Sequence, residues 1–159
     1  MKFEFLQSQL GTSPTVVIPT LGLTLSERLP AKASDNALAI VETMNAPGFG
    51  PPLHRHPETE IFRVLEGKYL YEVDGKQSEA SAGDLVCVPG GAAHTFVNIS
   101  DKPSRQFVMI LPAFDSLKFF TELGKVLEHG MVSMAALNEF GKPWEMEFLG
   151  PPLSARSRV

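Results

Sequence analysis

Short runs of alternating or β-branched apolar residues, cut apart by glycine and proline, constrain this chain more than any other feature. Thirteen Gly and thirteen Pro occur in 159 residues. From Thr20 to Pro112 the pieces between them carry a period of two, which puts every other side chain on one face of a strand and predicts an all-β architecture. The candidate strands are Leu23 to Arg28, Ala37 to Asn45, Glu60 to Leu65, Lys68 to Val73, Leu85 to Val88, His94 to Ile99 and Arg105 to Leu111. Glu66-Gly67 and Asp74-Gly75 tolerate left-handed backbone, so each predicts a tight hairpin turn.

After Pro112 the period changes to 3.6. With Asp115 or Ser116 as cap, Leu117, Phe120, Leu123, Val126 and Leu127 form one apolar stripe, which predicts an amphipathic helix. A second short helix is expected from Ser133 to Phe140, stopped by Gly141 and Pro143. The end, Pro151 to Val159, with two prolines and two arginines, reads as a poorly ordered tail. The expected organisation is a β-barrel with N-terminal strands over 1–113, and a helical appendage and tail over 114–159 packed on the same domain.

Length allows one domain. Hydrophobic residues at 43% and charged residues at 20% fit a globular chain rather than disorder. The 14 basic and 18 acidic residues give a net charge of −4 with no long basic block, so nucleic acid is not an expected partner. Cys87 is the only cysteine, which excludes an internal disulfide framework and a cysteine-rich zinc module. The start, MKFEFLQSQL, lacks the features of a signal peptide, and no apolar run approaches the ~20 residues of a membrane span. No membrane association and a cytoplasmic location are expected.

Of four histidines, three lie between positions 54 and 94, amid turn signals. His54 and His56 leave the same face of an extended segment, about 7 Å apart by strand rise, and can converge on one ion. Glu60, four residues on, keeps that face if the segment stays extended, and His94 can supply a third imidazole from another strand. Three imidazoles and one carboxylate suit one divalent ion among Fe, Mn, Ni, Co and Zn. Such a set can leave positions open for substrate, which is what makes a metal catalytic.

The residues around these four resemble the cupin family. Gly48, His54, His56, Glu60 and Gly67 stand at the spacing of the first cupin motif, and Gly83, Pro89, Gly91, His94 and Asn98 at that of the second. Fifteen residues separate Gly67 from Gly83, which resembles compact small-molecule cupins of bacterial type. The resemblance implies a double-stranded β-helix, or jelly roll, holding a metal through His54, His56, Glu60 and His94, and commonly a homodimer. The helix LKFFTELGKVL and the closing phrase EFLGPPL resemble the single-domain quercetin 2,3-dioxygenase-like cupins. That resemblance implies a metal-dependent dioxygenase acting on a small aromatic or enolic substrate, with Glu60 as the group that accepts the substrate proton. The alternative is a metal- and ligand-binding or sensor module without chemistry, or a metal-dependent isomerase or lyase, because the fold alone does not choose.

Phe62 and Val64 share the face of Glu60, and Phe96 that of His94, so they are candidates for an apolar pocket as well as for ordinary core. Tyr69 and Tyr71 form a same-face pair that either reaches a ligand or packs across strands. Glu58 reads as a rim residue, Gly48, Gly67, Gly83 and Gly91 as backbone requirements, and Cys87 as a small buried hydrophobe.

Overall fold

Alternation along the strands decides which side of each faces inward. In Ser104–Leu111 every second residue, Ser104, Gln106, Val108 and Ile110, is buried, and in Ala39–Asn45 the buried set is Ala39, Val41, Thr43 and Asn45. The computed structural model describes residues 1–156. The strands are β1 (Thr15–Ile18), β2 (Leu23–Leu29), β3 (Ala39–Asn45), β4 (Pro52–Arg55), β5 (Thr59–Glu66), β6 (Lys68–Val73), β7 (Lys76–Ser81), β8 (Leu85–Val88), β9 (His94–Asn98), β10 (Ser104–Leu111) and β11 (Glu147–Pro152). One sheet runs β1-β2-β3-β10-β5-β8, the other β11-β4-β9-β6-β7. All pairings are antiparallel, and the two inner faces enclose a jelly-roll core. Among the described residues no helix is long and apolar enough to cross a membrane.

All seven expected strands are present, with ends shifted by at most two residues. Gly67 and the pair Asp74-Gly75 have positive φ, as the two hairpin turns require. Gly48, Gly83 and Gly91 also sit at positive φ. The four additional strands are those with the weakest apolar alternation. β7, KQSEAS, is an edge strand that is mostly exposed, where polar residues are the rule.

The C-terminal segment differs most from expectation. Pro151 and Pro152 do not begin a loose tail: they end β11, which pairs with β4 at the margin of its sheet, where a missing N–H is tolerated. Residues 157–159 of the expected tail lie outside the described residues. Helix α1 (Ser116–Val126) lies against β1, and α2 (Met134–Gly141) lies against β11. The helices therefore line the side where the two sheets end in β1 and β11. Asp115 caps α1 by accepting from the Lys118 amide, and Ser133 caps α2 by accepting from that of Ala136. The buried stripe of α1 is turned from the expected one. Phe119 rather than Leu117 is buried, because its ring packs against Phe114, Phe140 and Trp144. Cys87 is exposed on edge strand β8, where Val88 takes the inward position.

The β4–β9 side of the barrel depends on one close approach. A Cβ on Gly50 would fall 1.7 Å from the carbonyl oxygen of Phe96 in β9. Gly50→Ala must push two backbones apart, and is expected to destabilise the fold by about 1–3 kcal/mol or more. Chemical denaturation against Gly150→Ala, which like Gly50 has no positive φ and whose added Cβ meets nothing closer than the Leu53 side chain at 3.6 Å, separates this contact from the general cost of losing a glycine.

Candidate metal centre

His54 and His94 are direct cross-strand partners on β4 and β9. Their ring centroids are 4.4 Å apart, and His56, just beyond β4, lies 5.6 Å from His54 and 5.0 Å from His94. All three are buried, and each can offer a ring nitrogen within 4.8 Å of the other two. Backbone carbonyls decide which nitrogen is available. The Nδ1–H of His54 donates to the Pro52 carbonyl at 2.7 Å, and that of His94 to the Ala92 carbonyl at 2.9 Å, which leaves Nε2 of each as the nitrogen that an ion can reach.

Glu60 reaches this group by a route the extended-segment argument does not describe. The chain does not stay extended from His56 to Glu60: it breaks at Pro57-Glu58 and crosses from β4 in one sheet to β5 in the other. Glu60 therefore faces the histidines from the opposite wall, with Oε2 3.1 Å from His94 Nε2 and Oε1 3.7 Å from His56 Nε2. The compact trio of mutually close donors is the three histidines, and the carboxylate lies against two of them. Glu58 was legible only as a rim residue. Its Oε2 is 3.1 Å from His56 Nδ1, an ion-pair contact without the alignment of a hydrogen bond, unlike the two carbonyl bonds to His54 and His94.

Burial and neighbours give the groups different charges. Burial, then the fields of His94 and His56, lower the pKa of His54 to about 3, so it is a neutral imidazole at physiological pH. For His56 burial opposes protonation, but the close carboxylates of Glu58 and Glu60 outweigh it and raise the pKa to about 9. Burial also opposes ionisation of Glu60, and the nearby imidazoles of His56 and His94 overcome it and hold the carboxyl well below its ordinary range. The donor set thus fits a divalent ion: buried imidazoles with their Nδ1 atoms engaged, beside one ionised carboxylate.

A pH prediction follows with a definite sign. Without metal, His56 holds a proton below about pH 9, and as a ligand it cannot. Metal uptake then releases a proton, and apparent affinity should rise about tenfold per pH unit through the neutral range and level off near pH 9. Zinc titrations between pH 6.5 and 9 in buffers of different ionisation enthalpy measure both quantities. An affinity that does not change with pH would contradict the assignment of His56 as a ligand.

A cavity of about 90 Å³ opens from these groups. His54, His56 and Glu60 line one part of it, with His94 behind them, and most of the remaining wall is apolar. Phe62 and Phe96 line the cavity, whereas Val64, Tyr69 and Tyr71 do not. The two tyrosines are buried, and their hydroxyls are engaged elsewhere, that of Tyr69 on Asn45 and that of Tyr71 on Gln106. Strand alternation could not find the closing part of the wall, because that part comes from the C-terminal segment. Phe114, Phe119, Phe120, Leu123, Met146 and Phe148 close the space, and Phe148 is paired with His54 in register.

Residues 41–110 match the family model described as a cupin domain. A curated relative, the epoxidase atD of Aspergillus terreus, is 37% identical over 84 residues, which cover 52% of this chain. The match spans only 26% of that relative's length. Among solved structures, a predicted oxalate decarboxylase from Thermotoga maritima is similar with a TM-score of 0.62 at 20% identity, covering 67% of this chain and 99% of the other. KdgF from a Halomonas species gives a TM-score of 0.63 at 18% identity, covering 72% and 99%. An RmlC-like cupin from Shewanella frigidimarina gives 0.59 at 22% identity, covering 73% and 95%. At these identities the structural likeness is one of fold.

Proposed function

Since residues 41–110 are a cupin domain on a jelly-roll barrel, we propose that this protein is a metal-dependent enzyme, a dioxygenase acting on a small aromatic or enolic compound. His54, His56, His94 and Glu60 hold one divalent ion among Fe, Mn, Ni, Co and Zn. The observation that carries this reading is the set of three buried imidazoles, two of them oriented by backbone carbonyls, beside Glu60 at one end of an apolar cavity. The likeness to a protein named an epoxidase supports oxidative chemistry.

When bound, the ion supplies a Lewis-acid centre that makes a substrate hydroxyl more acidic. The chain's own residues do the rest. The Pro52 and Ala92 carbonyls fix the orientations of His54 and His94, so little reorganisation of these two rings is needed on binding. Glu60, ionised and set against His56 and His94, accepts the substrate proton on a carboxylate oxygen. Phe62, Phe96, Phe119 and Phe148 exclude water from the ring of the substrate, which strengthens each polar interaction inside.

Metal analysis of protein purified without a nickel column, followed by anaerobic loading with each candidate ion and oxygen-uptake screening, tests the proposal. Oxygen consumption that needs both metal and an enolic or phenolic substrate is the expected result. Ligand-induced thermal stabilisation without turnover would replace the enzyme by a binding module, and turnover without oxygen would replace the dioxygenase by an isomerase or lyase. A homodimer belongs to the same reading, and light scattering in solution checks it.

A further inference from the structure

The barrel interior holds a second polar cluster, away from the histidines. Glu60 is level with Ile110 of β10, whereas Val64 is level with Gln106, which in turn pairs with Thr43 of β3. Four residues of strand separate the two levels, about 13 Å at strand rise. Thr43, Asn45, Tyr69, Tyr71 and Gln106 are all buried at this deeper end, and Thr43 and Asn45 line the same cavity as the histidines.

Hydrogen bonds there fix two amides in one sense. The Tyr69 hydroxyl donates to Asn45 Oδ1 at 2.9 Å, and the Thr43 hydroxyl donates to the same oxygen at 3.2 Å. Both acceptor positions of Oδ1 are then used, and Asn45 Nδ2 makes no hydrogen bond among the described residues. The Tyr71 hydroxyl donates to Gln106 Oε1, and Gln106 Nε2 is fully buried without a partner. A buried amide donor left unpaired is costly, but Gln106 does not line the cavity; Asn45 does, so its unpaired donor is the one that an acceptor on a ligand can meet. Neither Lys nor Arg lines the cavity, so nothing there favours a carboxylate or phosphate over a neutral oxygen.

We propose that Asn45, held by Thr43 and Tyr69, is a hydrogen-bond-donating subsite for a neutral acceptor oxygen at the end of the ligand remote from the histidines. The ligand class is a compact phenol or enol with a carbonyl or ether oxygen across the ring. At about 10–15 Å³ for each water held, the cavity has room for roughly six to nine waters, which suits one or two rings. This assignment rests on the reading that the acidic hydroxyl lies at the histidine end, and the two ends are tested separately.

The test is calorimetric titration of the zinc-loaded and metal-free protein with 4-hydroxyacetophenone and with 4-ethylphenol, which lacks the carbonyl oxygen. The ketone is expected to bind about five- to tenfold more tightly. That preference should vanish in Thr43→Val/Asn45→Leu/Tyr69→Phe, which removes the amide together with both hydroxyls that donate to it and so leaves no orphan hydroxyl. If that variant does not fold, Tyr69→Phe alone, which removes the shorter of the two bonds that hold Asn45 Oδ1, should at least halve the preference. Equal affinities in the wild type, a preference that survives in the variants, or binding of neither probe overturns the subsite. Removal of zinc without effect on either affinity overturns the histidine-end reading instead and leaves the ketone preference standing.

Discussion

Replacing His94 by Ala is expected to abolish stoichiometric metal binding while the barrel remains folded. His94 is opposite His54 in register, its Nδ1–H is held by the Ala92 carbonyl, and its Nε2 is the nitrogen closest to Glu60. Truncation leaves two imidazoles and a carboxylate that has lost its 3.1 Å partner. Losing a partner that merely orients a ligand costs 10–100-fold in metal affinity, so losing a ligand outright should cost more than about a hundredfold. The effect carries over to stability. Free ion at a hundredfold excess over Kd stabilises the wild type by about 2.7 kcal/mol, or about 5–10 °C in Tm for a domain of this size. Scanning calorimetry with and without metal should show that shift in the wild type and none in His94→Ala. An equal shift in both proteins would mean that the ion binds elsewhere.

Glu60→Gln is expected to keep the ion and lose turnover, by about 10²–10⁴-fold if the carboxylate is the proton acceptor. The amide has the size of the carboxylate and an oxygen that can still face the ion, but it cannot take a proton at neutral pH. The same change removes one of the two carboxylates that raise His56, so the pH dependence of metal uptake should flatten near neutrality as that imidazole loses its proton more readily. Metal content by mass spectrometry and oxygen uptake under saturating metal separate the two effects. A fully loaded Gln variant with wild-type turnover would remove the proton-accepting role and leave the metal site intact.

The cluster of His54, His56 and His94 was legible in the sequence because it depends on spacing along short stretches, and the barrel because a period of two survives even in pieces four to eight residues long. Glu60 was identified for an incomplete reason: the even offset from His56 assumed an unbroken strand, whereas the break at Pro57-Glu58 carries the carboxylate to the other sheet. The pocket was less legible. Phe62 and Phe96 follow from alternation, but Val64, Tyr69 and Tyr71 point inward at positions the cavity does not reach. Its closing wall comes from α1, from Phe114 and from β11, joined to the barrel by contacts more than a hundred residues apart in sequence, such as the Thr20 hydroxyl on the Leu127 carbonyl. No local pattern encodes such a contact. β11 itself was hidden by Gly150, Pro151 and Pro152, which read as a chain terminus and form a sheet edge.

Anomalous diffraction from crystals grown with the ion that co-purifies tests the central claim most directly. One peak is expected, about 2.0–2.2 Å from the Nε2 atoms of His54, His56 and His94, with an oxygen of Glu60 completing the protein's share of the shell. A peak placed away from these nitrogens, or none in crystals soaked with each candidate ion, would contradict it.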